Sequence, residues 1–155
     1  MLDVFISYSR QDAKIAEGFR NRLQAAGLSV FLDTASLAPG APWSQELRTR
    51  LGEASVVLIL ASVAAIQSPM VNQEAGAAVL RGKKVIPIVW ELDPANLPGW
   101  LREYQALDLR GGDPVRINTH VTELIGRLLR EKQQSQVIAI VALIGLAALL
   151  VLSGK

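Results

Sequence analysis

The chain has 155 residues, with 16 lysines and arginines against 14 aspartates and glutamates, one histidine and no cysteine. That length suits one domain with a real core and little more. Without cysteine there are no disulfides and no thiolate sites, a single histidine argues against a His-rich metal site or relay, and a formal charge of +2 with no basic run argues against a nucleic-acid binder.

The first residues, MLDVFIS, lack the basic region and cleavage site of a signal peptide and enter a strand at once, Asp3 to Ser7. Tyr8 to Asp12 is a polar loop. Ile15, Phe19 and Leu23 recur at helical spacing, with Ala16 and Ala26 on the same side. They predict an amphipathic helix from Ala13 to Ala26, closed by Gly27 in a C-cap position. Ser29 to Leu32 is a second strand. The loop from Asp33 to Pro42, DTASLAPGAP, follows, and then a helix from Trp43 to Leu51 that Gly52 ends. Ser55 to Leu60, SVVLIL, is a wholly apolar third strand.

After a loop over residues 61–69 comes the stretch that organises the chain, SPMVNQEAGAAVLRGKKVIPIV, from Ser68 to Val89. Ser-Pro starts a helix, because the hydroxyl can cap it and proline fits its first turn. A small-residue helix runs to a turn at Gly82, and a β-branched strand follows, Val85 to Val89. Glu74 stands in the second helical turn beside Ala75, Gly76, Ala77 and Ala78, none of which can crowd a ligand. Read by itself, Glu74 is either a ligand-facing carboxylate or one more solvated helix glutamate.

Residues 91–100 form a proline-rich connection with room for one helical turn. Tyr104 to Leu109 is a short fifth strand, and Gly111 to Pro114 a turn. Asn118 or Thr119 caps a last helix, in which Val121, Leu124, Ile125, Leu128 and Leu129 keep helical spacing. That helix continues toward VIAIVALIGLAALLVL, Val137 to Leu152, which has no charge and no hydrogen-bonding side chain. At 1.5 Å per residue this run reaches about 24 Å, and with Ser135, Gln136, Ser153 and Gly154 about 30 Å, the thickness of a hydrocarbon core. The expectation is a minimal transmembrane helix in a segment over residues 133–155, after a domain over residues 1–132. Arg127, Arg130 and Lys132 before the span, against Lys155 after it, place the domain in the cytoplasm.

Strand–helix alternation predicts an α/β domain with a parallel sheet, and ligands of such sheets gather at the carboxyl ends of the strands. The polar loops and Glu74 should converge there. No Walker motif, G-x-G-x-x-G or G-x-S-x-G occurs, and His120 lies on a helix away from that face. Strand one ends in Ser7-Tyr8-Ser9 and strand three in Ala61-Ser62, so the acidic residues of a phosphoacceptor domain are missing.

DVFISYSRQD, the F-L-D-x-x-x-L-x-P-G-x-x-W pattern from Phe31 to Trp43, S-x-x-x-x-x-E from Ser68 to Glu74, K-V-I-P-I after Gly82, and LPGWL from Leu97 to Leu101 stand in order at family spacing. Together they resemble the TIR (Toll/interleukin-1 receptor) domain over residues 1 to about 132. The resemblance implies a flavodoxin-like, doubly wound, five-stranded parallel sheet. The alanine-rich, arginine-over-lysine composition adds the expectation of a bacterial type. Many members cleave NAD⁺ at the nicotinamide–ribose bond, and the glutamate of S-x-x-x-x-x-E, here Glu74, is their catalytic residue. NAD⁺ is then the substrate, and neither a metal nor a cofactor is needed. Ser9 and Arg10 match the loop that lines the nucleotide pocket; Arg10 is either a diphosphate contact or a solvated arginine. The loop from Asp33 to Pro42, with Leu37, matches the one through which such domains associate and close the site. Trp43 fits the pattern as a site residue or as packing beneath that loop. Ser68 and Met70 open the catalytic helix, and Met70 stands where active members often carry tryptophan. The expectation is a membrane-anchored NAD⁺ hydrolase, an immune or cell-death effector activated by self-association. The alternatives are a non-catalytic TIR adaptor and an enzyme forming a cyclised ADP-ribose.

Overall fold

The first strand, β1 (Leu2–Ser7), is buried along its whole length, as a strand covered on both faces should be. The structure, a computed structural model, describes residues 1–32 and 45–153, with side chains described as far as residue 148. By contacts it forms two units, Met1–His120 and Val121–Lys155.

In the first unit β1 leads through a 3-10 turn, Arg10–Asp12, into α1 (Ala13–Ala25) and β2 (Val30–Leu32). After α2 (Gln45–Glu53) come β3 (Ala54–Leu60), α3 (Val63–Gln67), α4 (Pro69–Leu80), β4 (Lys84–Val89), a 3-10 turn at Pro94–Asn96, and β5 (Leu107–Asp108). All strand pairs are parallel, in the order β2-β1-β3-β4-β5. This is the doubly wound arrangement whose winding reverses between β1 and β3, and the crevice at that reversal is where such sheets bind ligands. Val57 and Ile59 of β3, with Val85 and Val89 of β4, share one core with Leu47 and Leu51 of α2 and Val71, Ala75 and Ala78 of α4. The alternate residues Val56, Leu58 and Leu60 point to the opposite face and are equally buried.

Several expectations change in detail. In α1 the buried stripe is Ala16, Phe19 and Leu23, while Ile15 is exposed. Gly52 does not end the second helix. α2 runs to Glu53; Lys83 Nζ donates to Gly52 O in its last turn and to Ala54 O at the start of β3, and Arg81 Nη1 donates to Arg48 O one turn earlier at 2.9 Å. Cations at a helix C-terminus satisfy the orphan carbonyls that a left-handed glycine otherwise would. The expected loop over residues 61–69 contains α3, capped by Ser62. Gly82 makes the expected turn, with φ +63°. The fifth strand is only two residues long. The last helix, α5, begins at Pro114 rather than after Asn118 or Thr119: Asp113 Oδ1 accepts from the Arg116 amide at 2.8 Å, with proline in the first turn.

α5 (Pro114–Ser153) is continuous into the second unit. Val137, Ile138, Ile140, Val141, Leu143 and Ile144 on it are all exposed. Among the described residues no helix is long and apolar enough to cross a membrane. The expected span from Val137 to Leu152 runs past them, since the side chains of residues 149–152 lie outside those described. A membrane-spanning helix is therefore not supported by the described residues.

Candidate active site at the β1–β3 crevice

Glu74 belongs to α4, whose start is fixed locally. Ser68 Oγ accepts from the Val71 amide at 3.4 Å, with Pro69 at the first position. Asn72 Nδ2 donates to Ile66 O at 2.9 Å and to Ser68 O at 3.0 Å, which ties the end of α3 to the start of α4. The break between these two short helices is thereby held, and α4 sets off from it in a fixed direction. Glu74 lies in its second turn, on a stretch whose small residues let the helix sit close to the sheet.

The Glu74 side chain is only 1% exposed. Ser7, at the carboxyl end of β1 and fully buried, donates its hydroxyl to Glu74 Oε2. Ser7 pairs in register with Ile59 near the end of β3, so this contact joins α4 to the strand ends that frame the crevice. Sequence reasoning passed over Ser7. The available signal was a hydroxyl closing a strand that is otherwise apolar after Asp3.

A second polar bridge lies nearby in the fold. Asp12, 8% exposed at the start of α1, accepts from Ser62 Oγ at 2.5 Å, and Ser62 Oγ accepts from the Ala65 amide at 2.9 Å. Burial pushes the Asp12 carboxyl above its ordinary value; the Ser62 hydrogen bond pulls it down, and the charge of Glu91 pushes it up again. Glu91, just after β4, accepts from the Val63 amide at 3.3 Å. The segments after β1, β3 and β4 thus meet at the carboxyl ends of the strands, as the parallel sheet requires. Neither Asp12 nor Ser62 stands out in the sequence as a site residue, because serine and aspartate in loops are ordinary.

Of the other expected residues, Ser9 is half-buried and its carbonyl accepts from the Asp12 amide at 2.8 Å, while Arg10 is exposed in the 3-10 turn. Met70 is half-buried one helical turn before Glu74 and on the same side of α4. Leu37, Trp43 and the loop from Asp33 to Pro42 lie outside the described residues. Among the described residues no three His, Cys, Asp or Glu side chains cluster as a metal site would need. The chemistry on offer is a buried carboxylate oriented by a hydroxyl, beneath the strand ends where the polar segments meet.

The family profile described as TIR domain matches residues 4–125. A protein of Brachypodium distachyon named "Probable 2' cyclic ADP-D-ribose synthase BdTIR" is 30% identical over 97 residues, which is 61% of this chain and 43% of that one. The chain therefore spans under half the length of that curated relative. Among solved structures, the TIR domains of the activated Roq1 resistosome superpose with a TM-score of 0.65 at 18% identity, covering 83% of this chain and 99% of that one. The TIR domain of the Toll-related receptor TRR-2 of Hydra magnipapillata gives 0.63 at 16% identity, covering 85% and 98%. A TIR-STING receptor of C. gigas gives 0.61 at 18% identity, covering 81% and 39%. At these identities the structures speak to the fold alone. The bacterial type expected from composition finds no support in them.

Proposed function

Because the chain belongs to the TIR domain family, we propose that it cleaves NAD⁺ at the nicotinamide–ribose bond, with Glu74 as the catalytic carboxylate. The observation that carries this reading is the setting of Glu74: a carboxylate, oriented by Ser7, at the crevice where a sheet of this winding receives ligands. The Brachypodium distachyon relative, named a probable 2' cyclic ADP-D-ribose synthase, supports the same class of chemistry.

When the C–N bond breaks, its electron pair leaves with neutral nicotinamide and the ribose becomes oxocarbenium-like. A fixed carboxylate lowers the energy of that positive charge and hydrogen-bonds the ribose hydroxyls. Attack by water, which then sheds a proton, gives ADP-ribose. Attack by a group of the same nucleotide gives a cyclic product. In this reading Ser9 and Arg10 meet the phosphates, Met70 and Ser68 flank the catalytic turn, and Leu37 and Trp43 come from the loop that closes on the substrate. Association through Asp33 to Pro42 completes the site, so activity rises with clustering. The apolar run of α5 anchors the protein in a membrane, with the domain on the cytoplasmic side.

A second reading is a TIR adaptor without catalysis. It is favoured by the 1% exposure of Glu74, which in this conformation no substrate reaches. The test is NAD⁺ consumption by the full chain clustered on vesicles, beside Glu74→Gln. Nicotinamide release that the substitution abolishes supports the enzyme, and its product separates hydrolysis from cyclisation. No turnover by the clustered wild type supports the adaptor.

A further inference from the structure

We infer that Ser7 is the positioning residue of the site: its hydroxyl holds the Glu74 carboxyl group in one orientation. The inference rests on the reading of Glu74 as the catalytic carboxylate.

Four observations carry it. Ser7 is fully buried, and so is Glu74, so neither group is hydrated and each depends on protein partners. The Ser7 hydroxyl donates to Glu74 Oε2, which directs that oxygen toward the carboxyl end of β1. Ser7 closes β1, a strand paired with β2 as far as Ile6 and with β3 through Ser7 itself. Glu74, by contrast, reaches its carboxylate through three rotatable bonds, whose freedom costs roughly 1–2 kcal/mol to remove. A strand-borne donor that removes this freedom before substrate arrives is the usual way to hold a reacting group within a fraction of an ångström.

A hydroxyl serving only the fold would be expected to bond a backbone group or a neighbour on the sheet. Ser7 instead reaches across 67 residues of chain to the one carboxylate of α4. The coupling also has a direction. Any shift of α4 against β1 moves Glu74 away from its donor, so packing of α4 and competence of the site are linked through this bond.

The experiment uses the full chain on vesicles, with Ser7→Ala, the near-isosteric Ser7→Cys, and Glu74→Gln. Kinetics are read beside the infrared carboxylate band of Glu74, identified in ¹³C-glutamate protein by its loss in Glu74→Gln. Positioning predicts that Ser7→Ala lowers kcat by about tenfold to a hundredfold, the worth of a hydrogen bond to a charged group. KM stays unchanged, the band moves, and Ser7→Cys, with its weaker donor, falls between. A purely structural serine would lower the thermal midpoint and the amount of active protein, leaving the band and kcat per folded molecule as in wild type; that result overturns the inference. An unmoved band in folded Ser7→Cys overturns it even if Ser7→Ala does not fold. Full activity in Glu74→Gln overturns the reading of Glu74 itself, and a silent Ser7→Ala effect beside an inactive Glu74→Gln overturns the role of Ser7 alone.

Discussion

Ser62 and Asp12 are joined by a 2.5 Å hydrogen bond between two loops 50 residues apart, and the same Ser62 oxygen caps α3 by accepting from Ala65. One hydroxyl therefore orders the segment after β3 and satisfies a carboxylate at the start of α1. Since α3 runs straight into the Ser68 cap of α4, this bond helps to fix where the helix of Glu74 begins.

The Asp12 carboxyl gives the first prediction. Burial raises its pKa above the ordinary 3.8, so the native state binds this proton more tightly than the unfolded chain does. The stability contributed by protonated Asp12 is complete below 3.8 and is lost as pH rises through the raised native value. Asp12→Asn retains an acceptor for Ser62 and does not ionise. Its stability relative to wild type should increase across that window and stay level above it. Urea unfolding of both proteins over a pH series measures the difference; a flat difference would mean that Asp12 titrates alike in both states.

Arg110 should show the opposite sign. It donates to Asp93 at 2.7 Å and to Asp108 at 2.8 Å, tying the turn after β4 to the end of β5. The Asp93 carboxyl is held below its ordinary value mainly by the Ala95 amide and then by Arg110, and that of Asp108 mainly by Arg110. A lowered pKa contributes stability above 3.8 that fades as pH falls through the native values. Arg110→Ala should therefore destabilise the fold at neutral pH, and the difference from wild type should shrink in acid. These groups are substantially exposed, so added salt should shrink it too. A difference insensitive to both pH and salt would assign the loss to packing.

Gly82 tests the turn between α4 and β4. Its φ of +63° is a left-handed conformation, and a Cβ built there meets nothing within 4 Å. Substitution thus costs backbone strain without a clash. Gly82→Ala should destabilise by about 1–2 kcal/mol, and Gly82→Asn by less, because asparagine tolerates this region. Equal losses for both, measured by denaturant unfolding, would point to a contact rather than to φ.

Much of this fold is legible in the residues themselves. The apolar runs of β1, β3 and β4 announce a covered parallel sheet, and Ser68-Pro69 and Gly82 bracket α4. What escaped reading was set by partners distant in sequence. Nothing near Gly52 signals that Arg81 and Lys83 will cap α2, so the glycine looks like a stop. α3 is five residues long, too short for periodicity to reveal. Asp113-Pro114 carried a helix-start signal that reads equally well as a turn. At the site, Glu74 stood out by its small neighbours, whereas Ser7 gains its meaning only when α4 is laid against β1.

The exposed apolar surface of α5 gives the last prediction. Val137, Ile138, Ile140, Val141, Leu143, Ile144 and Leu146 face outward, at 56–69% exposure. They lie on all sides of the helix, so no single groove could cover them, and water is a poor solvent for such a surface. A lipid phase covers every side at once. An aspartate near the centre of a spanning helix costs about 2.5–3.5 kcal/mol, so Ile140→Asp with Ile144→Asp should weaken membrane partition by three orders of magnitude or more. Wild type should sediment with membranes and resist carbonate extraction, and the double variant should move to the supernatant. If wild type is itself in the supernatant as a discrete oligomer, the apolar surface is covered by other copies of the chain, and the two aspartates should then dissociate it.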